Sequence, residues 1–147
     1  MKEKHIAEIR AFNRFYTSFI GLLDQHILNS RYSLPEVRIL YELYHYENLT
    51  ASDIMASLHI DKGYLSRILR LFEKQKLISK KRSGEDRRST HLSLTNTGRT
   101  EFAALDDASN NQVRKMLEVL KHKECDKLVR SMLEIKTMLS KIHQHNL

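Results

Sequence analysis

With one cysteine, Cys125, in 147 residues, the chain can form no internal disulfide. Its own packing must hold the fold, and a reducing compartment is the expected home. One proline, four glycines and no tryptophan leave few enforced turns, a composition that favours helix over sheet. No window approaches the roughly 18 uninterrupted apolar residues of a membrane-spanning helix. The opening MKEKHIAEIRAF carries a charge every two or three residues, where a signal peptide needs an apolar core. A cytoplasmic protein is expected. There is no glycine-rich phosphate loop. Local Ser-His-Asp and Cys-His signatures are also missing. The expectation is therefore a non-enzyme that needs no cofactor.

Positive charge, by contrast, is plentiful. Lysine and arginine number 25 against 18 acids, for a net charge of +7 and a pI near 9.6. Such an excess points to a polyanion, either nucleic acid or an anionic membrane surface. The length suits one domain with its own core. With no linker, repeat or low-complexity stretch in view, a single domain over 1–147 is expected.

Apolar spacing divides the chain into helices. Ile6, Ile9, Phe12, Tyr16, Phe19, Ile20, Leu23 and Ile27 recur at threes and fours, predicting a helix over 4–29. SLPE (33–36) is a helix start, with Ser33 as N-cap, Pro35 in the first turn and Glu36 reaching back. That helix runs to about Tyr46, with Val37, Leu40, Tyr41 and Tyr44 as its inner stripe. TASD (50–53) is a second capping box and opens a short helix over 51–58, with Ile54, Met55 and Leu58 inward. HID (59–61) makes a tight turn, and Asp61 caps a helix over 62–76 that buries Leu65, Ile68, Leu69 and Phe72. Short helix, turn and second helix have helix-turn-helix spacing.

Leu77 to Lys81 and Ser89 to Leu94 then read as two strands joined by RSGEDRR, a hairpin placed as a wing. Thr95 caps a helix running to about 120. A last helix, 123–145, sets Leu128, Met132, Ile135, Leu139 and Ile142 on a coiled-coil-like seam. The fold class is mainly α with a small β-wing, a winged helix-turn-helix at about 33–95. Helices 4–29 and 96–145 carry more apolar surface than so small a core needs. An obligate homodimer through these N- and C-terminal helices, Ile6 and Ile9 included, is the economical reading.

On the helix over 62–76, the face opposite the apolar stripe shows Lys62, Gly63, Ser66, Arg67 and Arg70, with Tyr64 near its entry. A helix N-terminus for phosphate, a hydroxyl, an aromatic ring and arginines that match guanine suit a DNA groove. In the hairpin, Lys80, Lys81, Arg82, Arg87 and Arg88 crowd a short loop. Arg88 suits the minor groove, where potential is most negative. Asp86, two residues earlier, is placed to orient it. Thr50, Ser52 and Ser33 sit at helix starts that suit phosphate.

LSRILRLFEKQKLISKKRSGEDRRSTHLSLTNTGR (65–99) resembles the winged-helix core of the MarR (multiple antibiotic resistance regulator) family. The matching pieces are Ser66-Arg67, Phe72-Glu73, the D-x-R of Asp86 and Arg88, and the L-T-x-x-G of Leu94, Thr95 and Gly98. FNRFYTSFIG (12–21), YSLPEVRILYEL (32–43) and DKGYLSRIL (61–69) are similar to the MarR-type domain of chains that continue into a GNAT-type acetyltransferase. The resemblance covers essentially the whole chain. One departure is Lys76, where many members carry glycine before the first wing strand.

The resemblance implies homodimers with interleaved terminal helices that bind pseudo-palindromic operators in double-stranded DNA, most often as repressors. It also implies a small aromatic or phenolic effector in a pocket, for which Tyr16, Tyr41, Tyr44 and His45 are the candidates, although tyrosines at helical spacing are usually core packing. Two alternatives stand beside the regulator: a DNA-binding or dimerisation module of an acetyltransferase fusion, and a helical protein–protein adaptor. In some relatives a cysteine near the N-terminal helix senses peroxide, whereas Cys125 lies near the last helix. Glu118, His122, Cys125, His143 and His145 are too scattered for a zinc site, which needs three or four converging ligands. No metal and no membrane partner are expected.

Overall fold

The computed structural model describes every residue except 1, 28, 29, 83, 85–88, 146 and 147; the side chains of 23–27 and 143–145 also lie outside the description. The elements, in order, are α1 (Lys2–Ile27), α2 (Leu34–His45), α3 (Ala51–Leu58), α4 (Lys62–Lys74), β1 (Ile78–Arg82), β2 (Thr90–Leu94), α5 (Asn96–Leu117) and α6 (His122–His145). The residues fall into two compact units, 1–109 and 110–147, with the boundary inside α5.

The core of the first unit draws on every element from the start of α2 to the first half of α5. Ile39, Leu40, Leu43, Ile54, Leu65, Phe72 and Leu77 are almost wholly buried in it. Tyr32 joins them, with its ring edge-on to Phe72 at 6.3 Å. Its hydroxyl donates to Glu101 Oε2 at 3.1 Å and accepts from the Arg31 guanidinium. Burial lifts the Tyr32 phenol above its ordinary pKa. No charged residue is buried among the described residues.

Helix starts follow the capping chemistry. Glu36 accepts from the Ser33 N–H at 2.9 Å, and Asp61 accepts from the Tyr64 N–H at 3.0 Å. Thr50 and Asp53 satisfy each other's backbone N–H groups at 3.2 and 2.8 Å. The Thr50 N–H and then the Thr50 hydroxyl, both donating to it, hold the Asp53 carboxyl below the ordinary aspartate range. Thr95 Oγ1 accepts from the Gly98 N–H at 3.0 Å and so caps α5.

The α4 stripe is buried as expected, at Leu65, Ile68, Leu69 and Phe72. The α2 stripe is buried only in part, at Leu40 and, half-buried, Val37. Ile39, Leu40 and Leu43 are buried, whereas Tyr41 and Tyr44 are 46% and 39% exposed. Aliphatic side chains have no polar tip to satisfy, so they take the core while the tyrosines keep their hydroxyls at its margin.

The end of α4 corrects the strand boundaries. Lys76 has φ 59, a left-handed conformation. Its N–H reaches Glu73 O at 3.0 Å, and the Leu77 N–H reaches Phe72 O at 2.9 Å. This is a Schellman stop, closed by the buried Phe72 and Leu77. The helix therefore ends at Lys74 rather than 76, and Leu77 belongs to the cap rather than to β1.

β1 and β2 pair antiparallel, from Ile78 opposite Leu94 to Arg82 opposite Thr90. Leu49 adds a bridge to β2, with the Leu92 N–H donating to Leu49 O at 2.7 Å. α5 begins against the Schellman turn, since the Thr95 N–H donates to Leu77 O at 2.9 Å and Thr95 Oγ1 to Lys76 O at 2.6 Å. Gly98 is buried there, where a Cβ would lie 2.1 Å from Leu77 O.

Candidate nucleic-acid interface

α4 is the centre of the site. Burying Leu65, Ile68, Leu69 and Phe72 turns the other face outward, and Lys62, Arg67 and Arg70 are exposed on it. Ser66 and Tyr64 are half-buried beside them. The Arg67 guanidinium carbon sits 5.9 Å from the Tyr64 ring centre, one turn back on the same helix. This cation–π contact limits where Arg67 can point. Arg70 Nε turns back to Ser66 O at 3.4 Å. The two arginines thus differ in setting, which spacing alone did not reveal.

α3 stands before α4 through a turn in which His59 is left-handed at φ 52. Thr50 is the N-cap of α3 and Ser52 is exposed in its first turn. The expected phosphate role of the helix starts is narrowed by their caps. Asp53 already takes the Thr50 N–H, and Glu36 takes the Ser33 N–H.

The hairpin sorts its cations by face. Successive strand residues point to opposite sides. Ile78, Lys80 and Arg82 therefore share a side with their partners Leu94, Leu92 and Thr90, and Lys81 shares the other with His91. Lys80 Nζ lies 2.9 Å from Glu73 Oε2 on α4. Sequence reasoning grouped Lys80 with the other cations of the hairpin and missed this pair. The signal was present: Glu73 is the one acid between Lys62 and Arg82, among eight lysines and arginines. Lys81 and Arg82 are exposed. Asp86, Arg87 and Arg88, expected at the wing tip, lie outside the described residues.

Helix-turn-helix, paired hairpin and a basic outward face now stand together. A model described as the MarR family matches residues 32–90. Over these 59 of its 147 residues the chain is similar to the MarR family. It is 42% identical over 77 residues to the organic hydroperoxide resistance transcriptional regulator of Bacillus subtilis strain 168, covering 52% of this chain and 50% of that one. The chain spans about half the length of the curated relatives it matches.

Two solved structures share the fold. FabT of Streptococcus pneumoniae, in complex with DNA, superimposes with a TM-score of 0.79 at 23% identity, over 91% of this chain and 99% of that one. The MepR–DNA complex of Staphylococcus aureus does so with a TM-score of 0.72 at 20% identity, over 88% and 96%.

Three of the four expected effector residues meet in this MarR-like domain. The Tyr41 and His45 ring centres lie 4.1 Å apart, those of Tyr44 and His45 5.2 Å, and those of Tyr44 and Phe102 4.7 Å. Arg99, unforeseen from sequence, lies over Tyr44 at 5.7 Å. The fourth, Tyr16, stacks on Phe12 and Phe19 of its own helix.

The apolar stripe of α1 is open to solvent at Ile6 and Ile9, 48% and 60% exposed. In the second unit the α6 seam is open at Met132, Leu139 and Ile142, with Leu128 and Ile135 half-buried. Cys125 lies half-buried in the first turn of α6. His122 faces Asp126 at 3.7 Å. Among the described residues no three His, Cys, Asp or Glu side chains converge as metal ligands, and no helix is long and apolar enough to cross a membrane.

Proposed function

We propose that this protein is a double-stranded DNA-binding transcriptional regulator that acts as a homodimer on a pseudo-palindromic operator, most simply as a repressor. One observation carries the reading: α4 buries one stripe and presents Lys62, Ser66, Arg67 and Arg70 on the other, directly ahead of a basic hairpin. α4 fits the major groove, with Arg67 reading a base edge beside Tyr64. Lys81, Arg82 and Arg87 meet phosphate, and Arg88, held by Asp86, enters the minor groove. The MarR-family match and the DNA in the FabT and MepR structures support this reading.

The exposed stripes on α1 and α6 support dimerisation, because apolar seams of this length are covered in a stable protein. Tyr41, Tyr44, His45 and Arg99 support a small aromatic acid as effector, since rings and a guanidinium offer stacking and charge together. Cys125 belongs to α6 and not to the N-terminal helix, so peroxide sensing is not part of the proposal.

The test is fluorescence anisotropy at physiological salt, using fragments from upstream of the protein's own gene. Random duplex serves as competitor and Arg88→Ala as control. Binding that survives competitor and collapses in the variant supports a sequence-specific regulator. Binding that competitor abolishes reduces the site to a basic surface and favours the acetyltransferase module or the protein adaptor.

A further inference from the structure

From the ion pair between the end of α4 and β1 we infer that Glu73 is a positioning residue that withholds Lys80 from the phosphate backbone, so that part of the protein's discrimination against random DNA rests on an acid. The inference rests on the DNA-binding reading above.

Glu73 is misplaced on two counts unless it has such a task. It lies in the last turn of α4, where the negative pole of the helix disfavours a carboxylate. It is also the one acid in the stretch from Lys62 to Arg82, which carries eight cations and would face a polyanion. Its carboxylate meets Lys80 Nζ at 2.9 Å, with the two side chains 48% and 37% exposed. A pair this exposed contributes little to stability, so its consequence lies in where charge is held.

The hairpin register explains the choice of Lys80. Lys80 stands opposite the buried Leu92, on the side that faces the body, while Lys81 stands opposite His91 on the other. β2 is pinned there by the bond from the Leu92 N–H to Leu49 O. Lys80 is therefore held beside α4, and Lys81 is left for phosphate. A lysine on phosphate strengthens every duplex alike and adds no sequence information. Holding one lysine back lowers binding to random DNA without touching the residues that read bases.

The experiment measures affinity for random duplex across a salt series, for the wild type, Glu73→Gln, Lys80→Gln and the double variant, with thermal melts to establish that each folds. Glu73→Gln is expected to bind random duplex several-fold more tightly and to steepen the slope of log K against log salt by about 0.9, the value of one added phosphate contact. Lys80→Gln alone is expected to leave the wild-type slope unchanged, and the double variant to return to it. If Lys80→Gln alone flattens the slope by about 0.9, Lys80 already sits on phosphate and the inference is overturned. If Glu73→Gln changes neither slope nor random-duplex affinity, it is likewise overturned. A flat salt response in the wild type itself removes the DNA-binding reading, and this inference with it.

Discussion

Replacing Gly98 with alanine tests the packing that joins α4, the wing and α5. The added Cβ would lie 2.1 Å from Leu77 O, 3.0 Å from Leu77 C and 3.1 Å from Leu94 Cδ2. Even a close carbon–oxygen contact begins near ~3.3 Å, so the chains must part by about 1.2 Å. The obstacle is backbone and cannot swing aside. Overpacking of this kind costs about 1–3 kcal/mol. Leu77 O also accepts from the Thr95 N–H and Oγ1 at 2.9 and 3.2 Å, and separation weakens both bonds. Each contributes about 1 kcal/mol. Alanine's better helix propensity returns about 1 kcal/mol. The net expectation is a loss of about 2–4 kcal/mol, seen as a Tm roughly 5–15 °C lower. Thermal melts at one fixed protein concentration measure it, because a dimer's Tm moves with concentration. A Gly98→Ala protein that melts with the wild type would refute the close approach of α5 to Leu77.

Lys76→Gly acts on the same junction with the opposite sign. It relieves a left-handed L-residue, worth about 1–2 kcal/mol, against about 0.5–1 kcal/mol of added chain entropy, so a small gain in Tm is expected. Arg67→Ala should flatten sequence preference and cost roughly 1–3 kcal/mol on the best site; equal weakening on all duplexes in an anisotropy panel would make Arg67 a phosphate contact only. Asp86→Ala should weaken DNA binding although it removes a negative charge, and tighter binding would end its orienting role. Asp53 has a depressed folded pKa, so its contribution is present above the ordinary aspartate value, near about 3.9, and is lost as pH falls through the folded value. The stability gap between wild type and Asp53→Asn should therefore be open at neutral pH and close in acid; a gap constant across that window in pH-dependent melts would separate it from the carboxylate's charge.

The helices were legible because their signals are local. Capping boxes at Ser33 and Thr50, the Asp61 cap and the 3–4 spacing of α4 each operate within a few residues. The phase of α2 was not legible. Tyr41 and Tyr44 have the spacing of a buried stripe, and only the competing fit of Ile39 and Leu43 against the other elements turned them outward. The two-residue error at the end of α4 has a related cause. A lysine carries no mark of a left-handed turn, whereas the glycine of the resembled family would have.

The candidate site divides the same way. Which residues are basic, and which face of α4 they share, follows from composition and period, because an apolar stripe facing inward leaves the rest facing out. Which cation is already engaged does not follow. Lys80 and Lys81 are equal in sequence, and the pairing of β1 with β2 makes them unequal by placing one beside Glu73 and the other away from it. Arg99 meets Tyr44 across 55 positions for the same reason. Local chemistry thus determined where helices begin and what charge they carry. Long-range packing alone decided partners, because a contact between distant residues depends on where whole elements come to rest.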